Sequence, residues 1–257
     1  MSDTSELVTK PVPSSYQNGQ LGMALKVQAG GHKFIPGKQI PSMIDLGDGF
    51  ILKAVQKPPK VTFMKLSNLT SGYLRPSVMD LKMGQITYDQ NATQEKIASE
   101  ISKFPPLQKL GFQITGMVIY DPGKDAYETI TNKYTRKLTE ETIISHGLSL
   151  FFRLQKENSR KDVLPQLLQK LQVLENWFSQ QKKFSFIASS LLISYDGCQQ
   201  LNSGKAKPCD EVRLHLIDFA HVFPSTSIDH NVLFGIKKLK GCLQTMLNEV
   251  EGINRIV

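Results

Sequence analysis

The stretch from 161 to 182 constrains the fold of this chain more than any other. Leu164, Leu167, Leu168, Leu171, Leu174, Trp177 and Phe178 recur there at three and four residues, the apolar stripe of a helix that buries one face. The stripe reads as core packing and not as a cofactor box. Extended segments accompany it at Gly111–Tyr120, Phe186–Tyr195 and Val212–Phe219. In the last, Val212, Leu214 and Leu216 alternate with Arg213 and His215, as in a half-buried strand. Three further helices are expected. One covers 92–104 and stops at Pro105-Pro106, one covers 139–153 behind Thr139, Glu140, Glu141 and Thr142, and the last runs from about Val232 to Leu247. Helices and strands mixed in this order give an α+β fold.

The texture before residue 70 differs. Short apolar pieces are broken by Gly30-Gly31 and Gly47-Asp48-Gly49. A strand over Phe50–Val55 follows the second glycine pair, Pro58-Pro59 interrupts it, and another strand runs from Val61 to Leu66. Ser67, Asn68, Thr70, Ser71 and Gly72 form a polar connector. The expected organisation is a disordered tail over 1–20, a small β-rich lobe over 21–70 and a larger α+β lobe over 71–257, with a cleft near 66–76.

The 257 residues carry 31 Lys and Arg against 23 Asp and Glu, a formal charge of +8. Such a balance suits an anionic partner. No basic-aromatic interleaving points to nucleic acid, and no apolar run reaches the roughly 18 residues of a membrane helix. The three cysteines are too few and too widely spaced for a disulfide framework or a zinc site. The N-terminal residues lack the basic-then-apolar order of a signal peptide, so the expected location is cytoplasmic, nuclear or both, and the expected state a monomer.

Three pieces carry chemistry suited to phosphoryl transfer, which needs cations on phosphates, a carboxylate for a metal and a group that orients the attacking hydroxyl. In Pro76-Ser77-Val78-Met79-Asp80-Leu81-Lys82-Met83-Gly84, alternation puts Asp80 and Lys82 on one side of an extended segment; an exposed ion pair has the same spacing. Asp218, in Ile217-Asp218-Phe219-Ala220-His221, ends a strand, where metal ligands and structural caps both occur. Lys53 sits on the glycine-flanked strand, either as a phosphate-binding lysine or as a solvated one. A further basic feature is the helix through Glu95, which lines up Lys96, Ser99, Glu100 and Lys103 on one face. Two ammonium groups there suit a polyphosphorylated ring, and equally a solvated outer face.

These pieces together resemble the inositol polyphosphate kinases. PSVMDLKMG fits the family pattern Pro-x-x-x-Asp-x-Lys-x-Gly, Ser189-Ser190-Leu191-Leu192 fits its Ser-Ser-Leu-Leu strand, and Ile217-Asp218-Phe219 fits its Ile-Asp-Phe, in the family's order. GQITYDQNATQEKI, YETITNKYTRKLTEETI and IDFAHVFPS are most similar to the multikinase branch, and DLKMG is shared with the hexakisphosphate kinases. The resemblance covers roughly residues 25–247. It implies a two-lobed fold distantly like the protein kinases and an ATP- and Mg2+-dependent kinase acting on soluble inositol polyphosphates. The multikinase type comes first, and a hexakisphosphate kinase forming pyrophosphates is the alternative.

Residue by residue, the resemblance implies that Asp80 contacts the ribose and polarises the attacking hydroxyl, and that Lys82 holds the transferred phosphate and substrate. It implies that Asp218 binds the metal with Ser190 close by, that Lys53 pairs with the nucleotide phosphates, and that Leu66, Asn68 and Leu69 belong to a hinge on the adenine. Ser67 stands where the family usually has a glutamate. Lys96, Ser99, Lys103, Asn132, Lys133, Arg136 and His221 fall on the substrate side, within a binding segment of about 90–140 for all but the last; His221 also suits a structural role. Lys137 extends the basic patch, and Glu100 stands where the family typically has a glutamine.

One departure is large. No Asp or Glu occurs between Ala54 and Met79, and the stretch between the two early strands is too short for the family's helix and its lysine-pairing glutamate. The chain is therefore either a shortened form of an active kinase or a divergent member with an abbreviated first lobe. A catalytically silent module that binds inositol phosphates or proteins is the reading from another class.

Overall fold

The computed structural model describes residues 43–55, 63–89, 91–198 and 211–252, with the short pieces 6–8, 23–24 and 28–29. The chain divides into two units, Met1–Gly72 and Tyr73–Val257. Among its described residues the first holds five short strands, β1 (Glu6–Val8), β2 (Met23–Ala24), β3 (Met43–Asp45), β4 (Phe50–Ala54) and β5 (Phe63–Ser67), in the sheet order β1-β5-β4-β3-β2. All neighbours are antiparallel. The β3–β4 turn follows from its residues. Gly47 and Gly49 take φ values of 77° and 88°, where a side chain would be strained. Asp45 Oδ1 accepts from Gly47 N at 3.0 Å and Asp48 Oδ1 from Phe50 N at 3.2 Å, closing the turn.

β4 and β5 pair directly, with Ala54 opposite Phe63. Only residues 55–62 lie between those partners, less than a strand–helix–strand crossover requires. Glu6–Val8, within the segment read as a tail, pairs with β5. The remainder of that segment, Gly30-Gly31, Pro58-Pro59, Val61 and the loop beyond Cys198 fall outside the described residues.

The second unit is built on a five-stranded antiparallel sheet in the order β11-β10-β6-β7-β8. Its strands are β6 (Pro76–Met83), β7 (Phe112–Asp121), β8 (Ala126–Ile130), β10 (Ser190–Asp196) and β11 (Arg213–Ile217), while β9 (Phe184–Phe186) and β12 (Val222–Pro224) form a separate pair. Helices are α1 (Gln94–Lys103), α2 (Leu107–Leu110), α3 (Asn132–Thr135), α4 (Ser149–Phe151), α5 (Val163–Gln180) and α6 (His230–Glu251). One face of the sheet is apolar. Met79, Leu81, Met83, Leu191 and Ile193 are buried in one cluster with Leu164, Leu167 and Leu171 of α5 and Ile236, Leu239 and Leu243 of α6. Each such side chain stabilises the fold by roughly 1.5–3 kcal/mol, so the stripe on α5 dictates which way the sheet faces.

Several expectations are corrected here. Trp177, expected in the core stripe, is 46% exposed; it stands against Phe186, with ring centroids 6.2 Å apart. The helix expected over 139–153 is a π-helical turn, Ile143–Leu148, followed by the single turn α4. Thr142 spends its hydroxyl on Thr139 N at 2.8 Å, outside any cap. The strand expected over 186–195 is broken at Ala188, whose φ of 56° is incompatible with a pleat. The remaining helices stand close to expectation. Thr93 Oγ1 caps α1 by accepting from Lys96 N at 3.3 Å, and Asp229 Oδ1 caps α6 by accepting from Val232 N at 3.0 Å.

Candidate active site

β6 is hydrogen-bonded on both sides, and its register sets the site. Lys82 lies opposite Ser190 of β10 and Gln113 of β7, and Ser190 lies opposite Ile217 of β11. Asp80, two residues earlier, lies opposite Leu192, which lies opposite His215. Directly opposed residues and residues two apart share a sheet face. Asp80, Lys82, Ser190, Leu192, His215 and Ile217 therefore share the face turned away from the apolar cluster. Asp-x-Lys is thus a pair on one face, and the Ser-Ser-Leu-Leu strand delivers Ser190 beside it. The register against β7 slips between Asp80 and Leu81, so Thr115 is an extra residue there. Its Oγ1 donates to the Asp80 carbonyl at 3.1 Å.

Asp80 is 9% exposed, and its Oδ1 is buried without a hydrogen-bond partner. Burial pushes its carboxyl up to about 6; the hydroxyls of Thr115 and Ser190 pull it down, the Asp218 carboxylate raises it, and the Lys82 ammonium lowers it. Asp218 therefore lies within electrostatic reach of Asp80. It follows Ile217 directly and takes φ 63°, a left-handed backbone that ends the alternation of β11. Its carbonyl accepts from Ser189 Oγ at 3.1 Å. A non-glycine residue held there carries about 1–2 kcal/mol of strain, and such strain gathers at working sites.

Gly84 closes the motif. At its φ of 97° an added Cβ would run into the Asn231 amide. That amide holds the chain leaving β6 from both sides: Ile86 N donates to Asn231 Oδ1 at 2.8 Å, and Asn231 Nδ2 donates to the Ile86 carbonyl at 2.9 Å. The glycine thus ties the strand of Asp80 and Lys82 to the first turn of α6.

On α1, Lys96, Ser99 and Lys103 are exposed. Glu100 bridges the two lysines, 3.0 Å from Lys96 Nζ and 2.6 Å from Lys103 Nζ. Asn132 and Lys133 lie on α3, which packs on β7, and Arg136 caps that helix; all three are exposed, as is Lys137. His221 is exposed in the turn after Asp218, and its carbonyl accepts from Ile187 N at 2.9 Å.

Four expected nucleotide residues belong to the first unit. Lys53 is on β4 between Met43 and Met64, and Leu66 is on β5 opposite Ile51. Asn68 N donates to the Gly49 carbonyl at 2.7 Å, and its Oδ1 accepts from Thr70 N at 3.0 Å, shaping the turn that contains Leu69. The second unit thus brings Asp80, Lys82, Ser190 and Asp218 to one place.

A family profile described as inositol polyphosphate kinase matches residues 63–244. The chain belongs to the inositol polyphosphate kinase family. Inositol polyphosphate multikinase of Homo sapiens is 40% identical over 57% of this chain and 35% of its own length. Inositol hexakisphosphate kinase 3 of Mus musculus is 31% identical over 71% of this chain and 50% of its own. The chain thus spans a third to a half of these curated relatives. A crystal structure of an inositol phosphate multikinase from S. cerevisiae, in complex with ADP and Mn2+, is similar with a TM-score of 0.61 and 25% identity, covering 73% of this chain and 84% of that one.

Sequence reasoning missed Thr115 and Gln113 on the inositol polyphosphate kinase sheet. Both lie in GFQITGMVIY, a strand that reads as plain core; only a register slip invisible to periodicity brings Thr115 to Asp80. It also missed Asp196, fully buried, which accepts from Leu74 N at 2.7 Å and from Arg75 N at 3.0 Å and pins the start of β6 to the end of β10.

Proposed function

We propose that this chain is an ATP-dependent inositol polyphosphate kinase of the multikinase type, transferring the γ-phosphoryl group to a free hydroxyl of a soluble inositol phosphate. The observation that carries the reading is the polar sheet face, where Asp80, Lys82 and Ser190 lie side by side with Asp218 at the strand end.

The residues suit nucleotide and a divalent cation. Asp80 Oδ1 is an orphaned buried acceptor, and two carboxylates within electrostatic reach favour a cation near them. Among the described residues no cluster of three or more His, Cys, Asp and Glu could hold a metal. Mg2+ at Asp218, beside Ser190, would therefore take its other oxygens from phosphates and water, its usual coordination at phosphoryl-transfer sites. When bound, it would neutralise charge on the transferring phosphate. Asp80, poised by burial near pH 6, accepts a hydrogen bond from the attacking hydroxyl and orients it. Lys82 holds the phosphate that moves. Lys53 supplies a cation to the nucleotide, Leu66, Asn68 and Leu69 offer backbone groups to the base, and Lys96, Ser99, Lys103, Asn132, Lys133, Arg136 and His221 receive the substrate phosphates.

The test is turnover of Mg2+-ATP with inositol phosphates from the trisphosphate to the hexakisphosphate. Asp80→Asn and Asp218→Asn should each abolish it. A monoester at a free hydroxyl supports the multikinase type, and a diphosphate on the full ring supports the hexakisphosphate kinase. One observation favours a second reading, a silent module that binds inositol phosphates: β4 and β5 pair without room for a helix, and no Asp or Glu lies between Ala54 and Met79. Binding without turnover by a folded chain would establish that reading and overturn the first.

A further inference from the structure

A single carboxylate oxygen holds both lysines of α1. Glu100 Oε1 lies 3.0 Å from Lys96 Nζ and 2.6 Å from Lys103 Nζ, and its side chain is only 12% exposed against 60% and 40% for the lysines. Burial alone would raise the Glu100 carboxyl, but the two ammonium partners outweigh it and hold the group below the usual glutamate range. The two ion pairs therefore favour Glu100 as the carboxylate. It also lines a depression with Gln85, Thr87, Tyr88, Phe104 and Gln108, which joins α1 to the segment leaving β6. The two glutamines there engage each other's backbones: Gln85 Nε2 donates to the Gln108 carbonyl at 2.5 Å, and Gln108 Nε2 to the Gln85 carbonyl at 2.9 Å. Glu100 is thus the charged group of that depression.

A carboxylate placed so does two things. It lowers the local charge of the helix face from two positive groups to a net of one. It also occupies the position between two ammonium groups that a phosphate would otherwise take. A phosphate arriving there meets a like charge at hydrogen-bond range, or has to displace it. We infer that Glu100 sets the substrate range of this chain: it stands in for one ring phosphate on α1, favouring inositol phosphates that are unphosphorylated at that position over the fully phosphorylated ring. The inference rests on the inositol phosphate kinase reading above and goes beyond it, because it assigns the acceptor class to one residue.

The experiment is calorimetric titration of the full chain, without nucleotide, with an inositol trisphosphate and with inositol hexakisphosphate. Glu100→Gln keeps the shape and removes the charge. Glu95→Gln removes the same charge from an exposed position of the same helix, where the carboxylate engages Thr93 instead of the lysines. The expected result is that Glu100→Gln tightens the hexakisphosphate at least about tenfold and the trisphosphate no more than about twofold. Glu95→Gln should change neither beyond about twofold. The gain at Glu100 should shrink as salt is raised. An equal gain for both ligands, or the same gain in Glu95→Gln, overturns the role of Glu100 and leaves the kinase reading standing. No binding of either ligand to any of the three chains overturns both.

Discussion

Replacing Asp80 by Asn should stabilise the unliganded protein while abolishing its chemistry. The carboxyl ionises near 3.8 in an open chain and near 6 in the fold, because burial disfavours its charge. Once fully ionised, that difference costs the folded state about 3 kcal/mol. The sign follows from proton binding. Between roughly pH 3.8 and pH 6 the folded state holds the proton and the unfolded state does not, so this contribution is fully present below the lower value and lost as pH rises through the upper one. Asparagine keeps the shape and cannot ionise. Carboxylates away from the site, including Asp121 and Asp125, titrate in both proteins and cancel in the difference. Denaturant unfolding of both proteins from pH 4 to pH 8 should give nearly equal stabilities at pH 4. The gap should widen to about 3 kcal/mol by pH 7, or roughly 6–12 °C in melting temperature for a unit of this size. Mg2+-ATP should then stabilise the wild type more than the variant. A gap that does not change with pH, or a variant less stable at pH 7, would refute the burial argument.

Three other substitutions test the packing around the site. Gly235→Ala should destabilise by about 1–3 kcal/mol in denaturant titration, because the added methyl runs into the backbone carbonyl of Gly111, which cannot swing away as the end of the neighbouring Met83 side chain can. Ala188→Gly should stabilise by about 1 kcal/mol in the same measurement, since it relieves a φ of 56° just ahead of Ser190; turnover should be unchanged. Tyr195→Phe should cost about 1–3 kcal/mol by thermal unfolding, because the hydroxyl donates to the Phe151 carbonyl at 2.5 Å inside the core and leaves it unsatisfied when removed.

The elements that position the chemistry were legible because their physics is local. The stripe on α5, the alternation of β11 and the extended Asp-x-Lys segment each follow from a period of 3.6 or 2, and each stands in the structure within a few residues of its expected bounds. What escaped depends on pairing across the chain. The slip that brings Thr115 to Asp80 is a property of two strands, and the left-handed turn at Asp218 has no signature beyond a residue type that tolerates it. Trp177 misled for a simpler reason: a stripe at three- and four-residue spacing shows which face is apolar, not how far along the helix the core extends. The short link between β4 and β5 was legible by arithmetic alone, and direct pairing of the two strands agrees with it.

The placement of the polar row on β6 has a consequence for how such a chain can change over time. Asp80 and Lys82 lie on a strand bonded to a neighbour on each side, so their amides should be among the slowest to exchange with heavy water. Their mutual spacing is set wholly within Tyr73–Val257. The β4–β5 hairpin belongs to the other unit. Residues can therefore be lost from that hairpin without moving Asp80, Lys82 or Ser190 by a register step. Inheritance can then act on the two units at different rates, with the hairpin free to drift while the register of Asp80, Lys82 and Ser190 stays fixed.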